Sequence, residues 1–130
     1  MTQLSVENGT LVVEIQGFDK VLTLKNKITV PLANIVSAEI DTKIGEEIVQ
    51  ATHVHHDALD RIVSHGTEDP KNSQRMGSFK DTDGIVFYDV HDASKAIVVH
   101  LDHEKYTRLV LEVENPQAAV ELINTAKKTR

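Results

Sequence analysis

Two groups of side chains have the types and spacing to do chemistry. The denser one is His53, His55, His56, Asp57, Asp60 and His65. On a helix, His53, His56, Asp57 and Asp60 share the polar face, and the pairs His53/Asp57 and His56/Asp60 stand one turn apart, where side chains meet. Imidazole and carboxylate together suit Zn²⁺ or Ni²⁺, which makes these four the candidate metal ligands. No remote ligand completes the set, and the plainer account is a solvated face with His/Asp pairs, so no cofactor is expected. The second group is Asp89, His91, Asp92 and Lys95. An imidazole beside two carboxylates can act as a general base, whereas aspartates in turns ordinarily accept from backbone N–H groups. Ser64, Ser73 and Ser78 have no base at a recognisable spacing. The chain lacks a nucleophile elbow, a phosphate-binding glycine loop and a His-Glu-x-x-His sequence, so no catalytic residue is assigned and a non-enzymatic protein is expected.

Periodicity indicates the elements that must hold these groups. Leu4 to Glu7, the Asn8-Gly9 turn signal and Thr10 to Gln16 predict a first hairpin, ended by Gly17. Phe18, Val21, Leu22 and Leu24 suggest a short helical turn. Lys27 to Val30 is a strand, Pro31 to Asn34 a bend, and Ile35 to Ile40 a further strand. Between Thr42 and His65 the period becomes helical, with Ile44, Ile48, Ala51, His55, Ala58, Leu59 and Ile62 on one face and Gly66 as the residue after the helix end. Thr67 to Arg75 is polar and aperiodic and reads as a mobile loop.

The run from Gly77 to Ala126 is the clearest. Ile85 to Val90, Ala96 to Leu101 and Tyr106 to Val113 read as a three-stranded meander with turns at His91–Ser94 and Asp102–Lys105. In the last strand Leu109, Leu111 and Val113 alternate with Arg108, Val110 and Glu112, the pattern of a half-buried antiparallel sheet. Asn115 is placed as an N-cap and Pro116 as the first helical residue, with Ala119, Leu122, Ile123 and Ala126 facing the sheet.

Composition narrows the function classes. The 130 residues, 40% of them hydrophobic, suit one domain with one core. No cysteine is present, which removes disulfides and thiolate chemistry. Twenty acidic against 14 basic residues give a formal charge of −6. That average field repels nucleic acid and anionic lipid. Aromatic residues at 4% argue against base stacking. The basic tail Lys127-Lys128-Thr129-Arg130 suits the last turn of a helix through the helix dipole. Neither a signal-peptide pattern nor a run of membrane-spanning length is seen, and a cytoplasmic location is expected.

Three motifs resemble a group of small bacterial proteins with a pleckstrin-homology-like barrel. They are Ile28-Thr-Val-Pro-Leu-Ala-Asn-Ile-Val-Ser-Ala-Glu-Ile40, Gly77-Ser-Phe79 and Val86-Phe-Tyr-Asp-Val-His-Asp-Ala-Ser-Lys-Ala-Ile-Val-Val-His-Leu101, and the ending Tyr106 to Ala119 is similar as well. The resemblance implies a mainly β, α+β fold, a barrel of two nearly orthogonal antiparallel sheets plugged by a C-terminal helix. It implies no particular chemistry, since the group carries no assigned activity. The helical reading of Thr42 to His65 departs from a Pro/Gly-rich loop in that group, and gives a single domain over 1–130 with a helical insertion and loop at 42–76.

The functional expectation is an interaction or self-associating scaffold domain. Its interaction surface is the apolar stripe Ile44, Ile48, His55, Leu59 and Ile62, which its own barrel or another subunit must cover. A protein partner or a homo-oligomer is thus expected, and neither nucleic acid nor membrane. The alternatives are an anionic lipid or phosphate-binding module, drawn from the fold, and a histidine-rich metal-binding protein.

Overall fold

A computed structural model describes residues 1–17, 19–23, 25–40, 66–69 and 74–128. The candidate metal ligands His53, His56, Asp57 and Asp60, and the stripe Ile44, Ile48, His55, Leu59 and Ile62, lie outside the described residues.

Strands β1 (Thr2–Glu7) and β2 (Thr10–Ile15) form the expected hairpin. Asn8 and Gly9 both take positive φ, 51° and 76°. That pair of angles is what a two-residue turn matching the strand twist requires, and Asn-Gly supplies it at low cost. A short helix α1 (Asp19–Thr23) follows, then β3 (Lys27–Pro31), which pairs with β2. A 3₁₀ turn, Leu32–Asn34, leads into β4 (Ile35–Ile40).

The remaining strands are β5 (Gly66–Asp69), β6 (Gln74–Asp81), β7 (Gly84–Val90), β8 (Ala96–Leu101) and β9 (Tyr106–Glu112), followed by helix α2 (Pro116–Lys128). They make one three-stranded sheet, β1-β2-β3, and one six-stranded sheet, β4-β8-β9-β7-β6-β5. The described residues are therefore mostly β with one C-terminal helix, and they do not close into a barrel.

Two expectations are corrected. The polar stretch Thr67 to Arg75 is not wholly a loop, because Gly66 begins β5, with Thr67 paired to Met76 and Glu68 to Arg75, while the helix expected over Thr42 to His65 lies outside the described residues. Backbone pairing holds that strand, and it leaves no apolar period in the sequence. The run from Ile85 to Glu112 is not a meander, because β9 lies between β7 and β8 and is parallel to β7, so the sheet is mixed rather than wholly antiparallel. The β7–β8 connection crosses the end of β9, where Val113 N–H donates to the carbonyl of Lys95 and His91 N–H to Glu112 Oε1. Turn residues announce that the chain reverses, and not beside which strand it lands.

The central strands are also buried on both faces rather than one. Phe87, Ile97, Val99, Leu109 and Leu111 pack on Leu11, Val13, Ile15 and Val30 of the small sheet and on Ile123 of α2. On the opposite face Val86, Tyr88, Val98 and Val110 form a second cluster with Phe79. The Arg75 guanidinium, fully buried, stacks there over Phe79 at 4.4 Å and Tyr88 at 4.9 Å.

Helix α2 starts as its sequence dictates. Asn115 Oδ1 accepts from Ala118 N–H at 3.1 Å, and Pro116 occupies the first helical position. Ala119 and Ile123 are buried, whereas Leu122, expected inside, is 39% exposed. At the far end Lys127 Nζ donates to the carbonyls of Leu32 and Ile35, so this cation ties α2 to the β3–β4 connection as well as meeting the helix dipole.

Gly84 holds φ at +134°, and a Cβ there would stand 2.8 Å from Thr107 Cγ2. Gly84→Ala should therefore lower the unfolding free energy by roughly 1–3 kcal/mol. Urea titration checks this, and an unchanged midpoint would show that the turn relaxes freely.

Candidate functional site

Strand alternation sends Ile85, Phe87 and Asp89 of β7 toward the small sheet. Phe87 is a core residue, Ile85 packs half-buried against the same core, and the third is a carboxylate with no exposed surface. Burying a charge without partners is costly, and partners come from three separate parts of the chain. Thr2 of β1, itself buried, donates its hydroxyl to Asp89 Oδ2 at 2.7 Å. The Met1 amino group lies 3.4 Å from the same oxygen. That amino group also bonds the carboxylate of Asp19, the first residue of α1.

Asp19 is held in place by its own turn. Gly17, with φ +64°, reverses the chain, Lys20 N–H donates to the Gly17 carbonyl, and the Thr23 hydroxyl donates back to the Asp19 carbonyl at 2.8 Å. The other oxygen, Asp19 Oδ1, meets His91 Nε2 at 2.6 Å. A carboxylate only accepts, so Nε2 carries the proton in that bond. Asp19, Asp89 and His91 each place one donor atom within 4.8 Å of the others. Asp89 Oδ1 is buried, and apart from the carboxyl contact with Asp19 it has no hydrogen-bond partner among the described residues.

The two carboxyls are pushed apart in acidity. Desolvation, followed by the neighbouring Asp19, raises Asp89 from its ordinary 3.8 to about 6, against the opposing pull of Thr2 and the Met1 amino group. Asp19 also feels desolvation most strongly, in the upward direction. Its bonds with Asp89, the Met1 amino group and His91 together outweigh that and hold it below 3.8. One proton-holding and one ionised carboxyl in contact is the arrangement expected when like charges share a small space.

Of the second sequence group, Asp89 and His91 enter this cluster and the others do not. Asp92 accepts from the backbone N–H of Ser94 at 3.0 Å and its hydroxyl at 2.6 Å, capping the 3₁₀ turn Ala93–Lys95. Its acidity is strengthened by those two bonds. This is the ordinary turn role weighed for it. Ser78 Oγ pairs with the Tyr106 hydroxyl at 3.1 Å inside the sheet. Asp19, Thr2 and Met1 were missed by sequence reasoning. A carboxylate at an inward position of β7 was the signal that partners were needed, and nothing local said which ones.

Beside the cluster an open cleft of about 370 Å³ runs between β1 and α2, and Met1 and Thr2 belong to both. Comparisons with family models, curated proteins and solved structures find no match to this chain.

Because the fold favours protonated Asp89, that group's contribution to stability is complete below about pH 4 and is lost as pH rises through about 6. Asp19 acts oppositely, with a contribution present above 3.8 and lost as pH falls. The Asp89→Asn variant, unfolded in chelator-containing buffer, should gain on the parent by up to about 3 kcal/mol between about pH 4 and about pH 7. A pH-independent difference would mean that Asp89 ionises normally in the fold. Thr2→Val, which removes the donor and keeps the shape, should cost about 1–3 kcal/mol at neutral pH by denaturant titration.

Proposed function

We propose that the chain is a non-enzymatic interaction domain of the pleckstrin-homology-like class that takes an extended protein segment along the edge of β1. The observation that carries this reading is the cleft between β1 and α2, lined by Gln3, Leu4, Val113, Ala118, Ala119 and Leu122. Among the described residues β1 has a partner strand on one side only, and its other edge offers backbone donors and acceptors to an added strand. Leu122, 39% exposed on α2, and Leu4 supply apolar contact for alternate side chains of that segment.

Two sheets with a terminal helix packed on β4, β8 and β1 support the fold class, while the parallel β7–β9 pair departs from wholly antiparallel sheets. The net charge of −6 opposes the anionic lipid alternative. Among the described residues no helix is long and apolar enough to cross a membrane.

Selection from a library of displayed linear peptides tests the reading. Binders should shift the amide resonances of Gln3, Leu4 and Leu122, and Leu122→Glu should weaken them at least about tenfold, about 1.4 kcal/mol, with the fold intact. A selection without binders, or binders indifferent to Leu122→Glu, would overturn it. Light scattering identifies the occupant as a second copy if a parent dimer becomes a monomer in the same variant.

A further inference from the structure

The structure assigns a second capacity to this end of the molecule: we infer that Asp19, Asp89 and His91 form a binding site for a divalent first-row metal ion, Zn²⁺ foremost. The three donors come from α1, from β7 and from the turn after β7, and stand within 4.8 Å of one another. They are distinct from the histidines and aspartates of the 53–60 stretch.

The donor set is chemically suited to such an ion. One imidazole and two carboxylates supply one nitrogen and two oxygens, the mixed set that Zn²⁺ takes in sites keeping a further position for water. The imidazole disfavours Mg²⁺ and Ca²⁺, which prefer oxygen alone. Two carboxylates bring a charge that a divalent ion cancels.

The geometry needs only side-chain adjustment. With metal–ligand bonds of about 2.0–2.2 Å, tetrahedral donors stand about 3.4 Å apart. The His91–Asp19 contact, now 2.6 Å, must open, and since all three donors stand within 4.8 Å no pair needs to close by more than about 1.4 Å. In that movement the ion replaces the proton shared by His91 Nε2 and Asp19, and the neutral imidazole carries its proton on Nδ1 instead.

A second observation points to a ligand independently of the cluster. Asp89 is entirely buried, and apart from the carboxyl contact with Asp19 its Oδ1 has no hydrogen-bond partner among the described residues. A buried oxygen held only by another carboxyl is costly when both are ionised, and a coordinated cation satisfies it. The imidazole gives access to the cluster. The side chain of His91 is 40% exposed and that of Asp19 only 8%, so an ion enters past the imidazole and keeps a solvent-facing position there. The Met1 amino group already lies against both carboxylates. It marks the place as one that attracts a cation, and the arriving ion displaces it.

Calorimetric titration of the chelator-stripped protein with ZnCl₂ at about pH 7.5 tests the inference, because ligand deprotonation makes such binding pH-dependent. The parent should bind one ion. A His53→Ala/His56→Ala variant should bind it equally, whereas His91→Ala and Asp89→Asn should each weaken it by at least roughly 10–100-fold. His91 is partly exposed, so its variant should keep the parent's circular dichroism, and a lost signal there reports the ligand rather than the fold. With Co²⁺ as probe, the visible absorption of the complex should change on His91→Ala. No binding by the parent, binding lost in the His53/His56 variant, or binding unchanged in both cluster variants would each overturn it.

Discussion

Asp89 occupies an inward position on β7, two residues beyond Phe87, and the cost of burying its charge organises that end of the molecule. A carboxylate there cannot be left to the apolar core around it. Thr2 is drawn in from 87 positions away, the amino group of Met1 lies beside it, and Asp19 brings α1 with it. The first strand and the first helix are thus fixed to the large sheet by polar contacts as well as by packing. Raised acidity in one carboxyl and lowered acidity in its neighbour are two consequences of that single crowded site.

The large sheet makes this possible because its central strands are covered on both faces. Phe87 and Leu109 face the small sheet and α2, while Tyr88 and Val110 face the second cluster. Such strands are held rigidly, and rigid strands position side chains better than loops do. The parallel β7–β9 pair has a further effect. It carries the β7–β8 connection over the end of β9, where Glu112 receives the backbone N–H of His91 and sets the imidazole beside Asp19.

The polar cluster and the β1–α2 cleft share Met1 and Thr2. A change at one is therefore felt at the other through the start of β1. An ion that displaces the Met1 amino group alters the lining of the cleft, and a segment seated on the edge of β1 restrains Thr2 against Asp89. The two proposals rest on different observations, a buried carboxyl oxygen and an open strand edge, yet they meet in the same first residues.

Much of the local structure was legible in the chain. Asn8-Gly9 specified its turn through two positive φ angles, Asn115-Pro116 specified a helix start through a cap and a missing N–H, and Asp92 followed the turn rule for its type. The alternation of β9 named Leu109, Leu111 and Val113 as buried, but not Val110 and Glu112 on its other face. Each of these rests on contacts within a few residues, which sequence carries directly. Strand pairing did not follow, because backbone hydrogen bonds are the same for every residue and the turn at His91–Ser94 does not say which neighbour the next strand meets. The strand Gly66–Asp69 was hidden for the same reason. Asp89 and His91 were visible as chemistry, but Asp19 joined them only in the fold, from 72 positions away in the chain. A buried charge declares in sequence that it needs partners; which partners it finds is decided by the packing of elements remote from it, and that is a property of the tertiary structure alone.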